Sequence, residues 1–456
     1  MKVEEILNVT KGKLIIGDLK TEIENFSKDT RTIQENDLYI GIKGEKFDGS
    51  DFWKQALDAG AKAVIVSEIK ITDEDKLIYK DKVIIIVEDT LKSLYELATY
   101  KRKQYNIPVI AITGSVGKTS TKDIVANVLG QKFKTLKTEG NFNNNIGLPM
   151  TILKLKNHEA LVVEMGMNHF GEIRLLTQIA KPTLAIITNI GTSHIGNLGS
   201  RENILKAKLE ILEGMEIPKL IINNDNDLLH SWYEKNKNKI EIHTYGIKNE
   251  SEINAKNINL GEENSKFTAI IKDGCNIEID VPVGGEHFIY NAICGIMVGE
   301  MFNLSNEEIQ NGILTFELTK KRMDIKTLNN GATIINDSYN ASYESMKASL
   351  KYLSNRTDLR KIAVLGDMLE LGEFSEELHR KVGEEVATNN IDVLICRGKY
   401  SKQIIEGAQK NKKLQIMELQ SNDEIIKKLE EILKEGDVVL IKASNAMKFY
   451  EICQKL

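Results

Sequence analysis

From about residue 105 onward the chain repeats one pattern: a short, nearly unbroken apolar run that stops abruptly at Gly or polar residues, usually followed by an amphipathic stretch. Such a run marks a strand buried on both faces of a parallel sheet, and the amphipathic stretch marks a helix packed across it. The runs fall into two groups, at residues 109–113, 161–164, 184–189 and 220–223, and then at 333–337, 362–366, 393–396 and 438–442. Between them, residues of about 241–283 alternate in character (IEIHTYGI, FTAIIKDGCNIEIDVPV), which predicts antiparallel strands at an edge of the middle unit's sheet. The first hundred residues carry shorter strand-like runs (DLYIGIKG, AKAVIVSE, KVIIIVED) and a helix near 52–59, the pattern of a small α/β unit.

At 456 residues the chain exceeds one ordinary core, and its length suggests roughly three domains. KRKQYNIP and LTKKRMDI read as connections before new strand series, so the expected units are 1–103, 104–317 and 318–456. The expected fold class is α/β: a small N-terminal domain, a central domain with a mostly parallel sheet of P-loop type, and a C-terminal Rossmann-like domain.

The net charge of -5 is small for this length, which argues against nucleic acid or an anionic membrane as partner and makes any phosphate binding local. Cys275, Cys294, Cys396 and Cys453 lack the paired spacing of a zinc site or disulfide framework and read as reduced core residues. The opening MKVEEILNVTKGKLIIGD has acids where a signal peptide would be basic, and no segment reaches transmembrane length, so the expectation is a cytoplasmic protein. No apolar heptad suggests an obligate oligomer, and a monomer is expected.

Ligands of open parallel sheets gather at the carboxyl ends of the strands, so the residues closing each run are the candidates. The run 109–113 opens into Gly114, Ser115, Val116, Gly117, Lys118, Thr119 and Ser120 and then a helix. Glycines let backbone N–H groups fold around phosphate, Lys118 can reach the outer phosphates, and Thr119 offers a hydroxyl to Mg²⁺. The loop is shorter than the common Walker spacing, and a glycine-rich turn binding nothing is the bland alternative. Glu164, closing the next run, is structural in isolation but beside a phosphate loop becomes an oxygen ligand for Mg²⁺. His194 closes the run after that, where a structural hydrogen bond is as good a reading as a ligand. In ENILKAKLEIL, Lys206 turns outward on a helical wheel more easily than Lys208, and by itself the segment reads as a solvated helix face.

TGSVGKTS, EGNFNNNIGLP, EMGMNHFGEI, NIGTSH and KAKLEI occur in the order and approximate spacing of the Mur ligases, and the chain resembles that family over its whole length. The resemblance implies an ATP-dependent carboxylate–amine ligase with two Mg²⁺ ions. It puts Thr119 and Glu164 on one ion, and His194 and a carbamylated Lys208 on the other. KDTRTIQENDLYIGIKGEKFDGSDF resembles the family's uridine-nucleotide segment, which implies that Asp29, Thr30 and Arg31 lie near the UDP group. Asn141, Asn143 and Asn144 are then expected near the muramoyl-peptide or the phosphates, and Asn291 of HFIYNA near adenine, although Phe288 stands where the family often has Asn.

KKRMDI and IINDSYNASYESMKASL, with GDMLELGE at 366–373 followed by His379, resemble the branch that adds D-alanyl-D-alanine to UDP-N-acetylmuramoyl-tripeptide. Arg322 and Asp337 are the implied ATP contacts, with Tyr339 and Asn340 near the reacting ends. Asn336 and Tyr343 depart from a usual Asp and Pro, and KASN at 442–445 stands where KGSR is common. The family chemistry runs through an acyl phosphate, with the C-terminal domain swinging in over the nucleotide. Alternatives are a sister ligase adding another amino acid, a folylpolyglutamate synthetase-like ligase, and a non-catalytic paralogue that binds nucleotide.

Overall fold

A computed structural model describes all of residues 1–456 except 273, 275 and 320. Three sheets organise the chain. The first runs Lys13–Ile16, Val83–Ile86, Ala63–Val66, Asp37–Ile40, Asn25–Ser27 across its width, parallel except for the first pair. The third, ordered Asp324–Thr327, Thr333–Asn336, Asp437–Lys442, Arg360–Gly366, Val393–Arg397, Gln415–Glu418, is likewise parallel except for its first pair.

In the central sheet the parallel strands lie in the order Ile253–Leu260, Glu241–Gly246, Lys219–Asn223, Leu184–Ile187, Val109–Thr113, Ala160–Glu164, Thr135–Lys137. Val109–Thr113 has the next long run on one side and the following one on the other. The chain therefore reverses its direction of winding there, leaving a crevice at the strand's carboxyl end.

The apolar runs are strands, but residues 241–283 are not uniformly antiparallel as expected. Glu241–Gly246 pairs parallel with Lys219–Asn223, and Ile253–Leu260 pairs parallel with it in turn. Only Ile253–Leu260, Ser265–Ile271 and Asn276–Val281 form the antiparallel extension. Alternation reports that one face of a strand is exposed, not which way its neighbour runs. The helix Glu286–Met301 packs against Glu241–Gly246, which is exposed at Glu241 and buried from Thr244 to Gly246. The short edge strands Thr135–Lys137 and Gln415–Glu418 were not anticipated, being too short to display a period.

The helices Lys118–Leu129 and Glu286–Met301 pack side by side under the crevice, with Gly295 admitting Ile124 at a distance a Cβ would violate. Cys294, Cys396 and Cys453 are buried and free, consistent with reduced core residues; Cys275 lies outside the described residues. Among the described residues no helix is long and apolar enough to cross a membrane.

The segment 366–373 is held by buried polar contacts. The Met368 N–H donates to His379 Nε2 at 2.9 Å, and His379 Nδ1 donates to the Ser375 carbonyl at 2.6 Å. Both ring nitrogens are thereby committed to the neutral imidazole, which stacks on Tyr400. Burial lowers the His379 pKa below its ordinary value, opposed by the Ser375 carbonyl and Asp367.

Because the folded-state pKa is depressed, this stabilisation is complete above the unfolded value of about 6.5 and is lost as pH falls through the folded value. His379→Ala, which orphans a buried N–H, should cost about 1–3 kcal/mol near neutrality. The melting-temperature gap between wild type and variant should narrow toward about pH 5; a gap independent of pH would contradict a neutral, buried imidazole as its source.

Candidate functional site

The phosphate loop is built by close approach at the end of Val109–Thr113. Gly114 has φ +155°, and a Cβ there would lie 1.9 Å from Thr188 Oγ1. Gly117, at φ +80°, starts the helix Lys118–Leu129, whose first N–H groups face the crevice. The neighbouring strand's end braces the loop: the Ser115 N–H donates to the Asn189 carbonyl, and the Val116 N–H donates to Asn189 Oδ1, both at 3.0 Å. Thr188 Oγ1 and Asn189 Nδ2 donate to the Val116 carbonyl at 2.7 and 3.0 Å. Lys118 Nζ folds back onto the Gly114 carbonyl at 2.8 Å. Burial lowers its pKa, with Glu164 opposing and Arg322 reinforcing the shift.

Glu164 sits at the end of Ala160–Glu164, 1% exposed. It accepts from Thr119 Oγ1 at 2.8 Å and from Asn143 Nδ2 at 2.7 Å. Arg322 Nη2 reaches across from the C-terminal domain and donates to Thr119 Oγ1 at 3.0 Å. Its guanidinium also lies 4.0 Å over the Tyr339 ring. Burial raises the Tyr339 pKa, while its hydroxyl meets both Arg322 and Asn141.

The three asparagines separate by geometry. Asn143 holds Glu164, Asn141 meets Tyr339, and Asn144 Oδ1 accepts the Gly147 N–H at 2.8 Å at the start of the helix Gly147–Leu153.

On the far side of the loop, His194 Nδ1 lies 2.5 Å from the Glu370 carboxylate. Lys208 is 1% exposed whereas Lys206 is exposed, as the helical wheel suggests, and the solvated-face reading fails for Lys208. Burial first, and the Lys118 charge second, push its pKa well below the ordinary lysine value.

Asp337 accepts from the buried Lys442 Nζ and from Ser349 Oγ, and Lys442 also donates to the Asn340 carbonyl at 3.1 Å. Of these groups, all but Gly114, Gly147, Lys206, Lys208 and Glu370 line a single cleft of about 610 Å³ between the central and C-terminal domains, with Ser120, Asn291 and His287. Asn291 Oδ1 accepts from Thr121 Oγ1 at 3.0 Å beside the loop. Burial lowers the His287 pKa to about 4, with Asp337 opposing. Phe288 is buried against His287 and Phe316.

Asp29, Thr30 and Arg31 do not join the cleft lining. They form a turn on the N-terminal domain, where Arg31 Nη2 lies 2.6 Å from Asp29 Oδ2 and holds the Asp29 pKa down to about 2. Asn445 is exposed and also outside the lining.

Sequence reasoning missed Asn189 as a loop brace, although it closes an apolar run just as Glu164 does. It also missed Lys442, and Glu344, which accepts from Thr192 N–H at 2.8 Å and Thr192 Oγ1 at 3.1 Å across the domain interface. Neither had a local signal, because each partner lies over a hundred residues away in sequence.

A phosphate loop at a sheet's winding reversal, facing a cleft completed by a second α/β domain, defines an ATP-dependent ligase architecture. Models of the Mur ligase family match residues 22–102 (catalytic domain), 112–299 (middle domain) and 321–445 (glutamate ligase domain), and the chain belongs to this family. It is 37% identical to the UDP-N-acetylmuramoyl-tripeptide--D-alanyl-D-alanine ligase of Bacillus subtilis, covering 100% of this chain and 98% of that protein. The Escherichia coli ligase of the same name is 31% identical over the same shares. Among solved structures, MurF from Acinetobacter baumannii superposes with TM-score 0.88 at 29% identity, covering 100% of this chain and 98% of that one. MurF from Thermotoga maritima in complex with ADP gives 0.81 at 28% identity, covering 94% and 96%.

Gly114→Ala tests the loop. The added methyl meets Thr188, so affinity for a fluorescent ADP analogue should fall about tenfold or more, equivalent to at least about 1.4 kcal/mol. Unchanged affinity would mean that the loop does not hold the nucleotide as described.

Proposed function

We propose that this chain joins D-alanyl-D-alanine to the terminal carboxylate of UDP-N-acetylmuramoyl-tripeptide, consuming ATP and releasing ADP and phosphate, as a step of peptidoglycan precursor synthesis. The observation that carries the ligase reading is the convergence of the Gly114–Thr119 loop, Glu164 and the C-terminal domain's Arg322 on one point in the cleft. The dipeptide as amine is supported by the full-length relatives and by the segment 334–350, which brings Tyr339 and Asn340 into the same cleft.

A carboxylate resists amines until it carries a leaving group. The tripeptide carboxylate attacks the γ-phosphorus of ATP, the bond to the β–γ bridging oxygen breaks, and an acyl phosphate forms as ADP leaves. Lys118, the loop N–H groups and Arg322 offset the charge that develops on the phosphoryl oxygens. The dipeptide amine then adds to the acyl carbon, the bond from that carbon to the phosphate oxygen breaks, and the amine's proton passes to the departing phosphate or to solvent. An α-amino group with pKa of about 8 is already about a tenth neutral at neutral pH, so no strong base is required. Tyr339 and Asn340 orient the reacting ends, and the closed cleft excludes water that would hydrolyse the acyl phosphate.

The donors suit Mg²⁺. Thr119 and Glu164 are hard oxygen groups of the kind that ion prefers. Thr119 and Glu164 would hold one ion, and His194 and a carbamylated Lys208 the other; bound Mg²⁺ neutralises the transferring phosphoryl group. Burial that lowers the Lys208 pKa favours the free amine, the form that can add to the carbon of CO₂ and release a proton to solvent. The product supplies oxygen donors where an ammonium would repel a cation. Asp29, Thr30 and Arg31 would meet the uridine end of the precursor on the N-terminal domain. The protein acts as a cytoplasmic monomer in this reading.

Phosphate release from ATP with UDP-N-acetylmuramoyl-tripeptide should require D-alanyl-D-alanine, with free diaminopimelate, lysine or glutamate inactive. Release with one of those amines instead would keep the mechanism and overturn the assigned amine, and no release with any would favour a non-catalytic paralogue. Lys208→Ala should lose about a hundredfold or more in turnover, with partial recovery on adding acetate or formate. Labelling with ¹³C-bicarbonate should give a carbamate resonance in the wild type alone, and its absence there would remove the carbamate from the site.

A further inference from the structure

The turn that carries His194 and the turn that carries Glu370 belong to different domains, and they meet with unusual closeness. The Glu370 carbonyl accepts the Gly196 N–H at 3.1 Å. A Cβ on Gly196 would lie 2.5 Å from the Gly372 nitrogen and 2.7 Å from the Glu370 carbonyl oxygen, so only glycine permits the approach. His194 and Glu370 both have left-handed backbones, φ 65° and 64°, which costs a non-glycine residue about 1 kcal/mol or more. Two strained residues in contact across an interface mean that the surrounding structure imposes both conformations. The result is a 2.5 Å contact between His194 Nδ1 and Glu370 Oε2.

An imidazole that ligates a metal through one nitrogen is generally oriented through the other by a carboxylate or carbonyl. Here the Glu370 carboxylate lies against Nδ1 as a close ion-pair contact, without the geometry of a formed hydrogen bond, and Nε2 is the ring's other donor atom. We infer that Glu370 is a positioning residue which, on docking of the C-terminal domain, orients His194 for the divalent cation, so that domain closure and cation binding at this position strengthen each other. The inference rests on the proposed role of His194. Its physical content is linkage: a cation that binds better to the docked form must favour docking by the same factor. The segment that delivers Glu370 is braced within its own domain, by His379 at Met368 and by Ser444, whose Oγ accepts the Leu369 N–H at 2.9 Å. It therefore moves with that domain as one piece.

The test uses the full-length chain. Glu370→Gln keeps the shape and removes the charge; Glu370→Gly relieves the left-handed strain and removes the side chain; Gly196→Ala blocks the approach of the two turns. The Glu370 side chain is half exposed, so the first two should fold. Binding of Mn²⁺ in the presence of ADP, followed by electron paramagnetic resonance, should weaken about 10–100-fold in both Glu370 variants. The concentration of Mg²⁺ giving half-maximal phosphate release should rise comparably, while KM for ATP at saturating Mg²⁺ changes little. Small-angle scattering should show the wild type becoming more compact on adding Mn²⁺ with ADP, and Gly196→Ala should blunt that change and weaken Mn²⁺ together. Mn²⁺ affinity within twofold of wild type in Glu370→Gln, or compaction without any change in Mn²⁺ binding in Gly196→Ala, would overturn the inference. Mn²⁺ binding and scattering need no turnover, so they decide the role of Glu370 even if the dipeptide proves not to be the substrate.

Discussion

The buried charge of Glu164 is the constraint around which this site is arranged. An ionised carboxylate at 1% exposure is tolerable only if its oxygens are hydrogen-bonded, since the penalty otherwise reaches several kcal/mol. The partners come from separate stretches of chain: Thr119 from the helix that follows the phosphate loop, and Asn143 from the turn before Gly147–Leu153. Meeting the needs of one carboxylate therefore fixes the positions of two active-site segments. Arg322 extends the network into the C-terminal domain through the same threonine hydroxyl. The arrangement is also what a nucleotide with a divalent cation requires, because an anionic oxygen and a hydroxyl are already placed beside a loop that offers N–H groups.

The domain interface follows a different principle. Several of its contacts are polar or depend on absent side chains: Thr192 with Glu344, His194 with Glu370, Gly196 against Gly372. Polar contacts of this kind can be exchanged for water at modest cost, whereas an apolar interface would resist separation. A ligase that admits two substrates and a nucleotide and then excludes water needs such an interface. The precision lies in where the glycines are, since they let two backbones approach more closely than any other residue allows.

Lys208 and Lys442 show how one residue type serves opposite ends. Lys442 is buried with Asp337 as its partner and steers that carboxylate. Lys208 is buried beside another lysine, and its depressed pKa makes it chemically available as an amine. The neighbours decide the role, and neither neighbour is near in sequence.

Much of the fold was legible without the structure because buried parallel strands announce themselves: two covered faces demand a continuous apolar run, and the residue closing each run faces the crevice. That rule pointed to the loop after Val109–Thr113 and to Glu164, which line the cleft, whereas the helical wheel by itself left Lys208 on a solvated face and only the family resemblance singled it out. The rule failed for residues 241–247, since alternation along a strand says nothing of which way its neighbour runs. It also failed for Glu344, Glu370 and Lys442, whose roles arise from contacts across domains or between distant strands. Local sequence encodes burial and turn geometry, which set the elements and the ends of the strands. Which side chains then meet is decided only by the packing of three domains, because the distances that matter join residues that the chain itself keeps far apart.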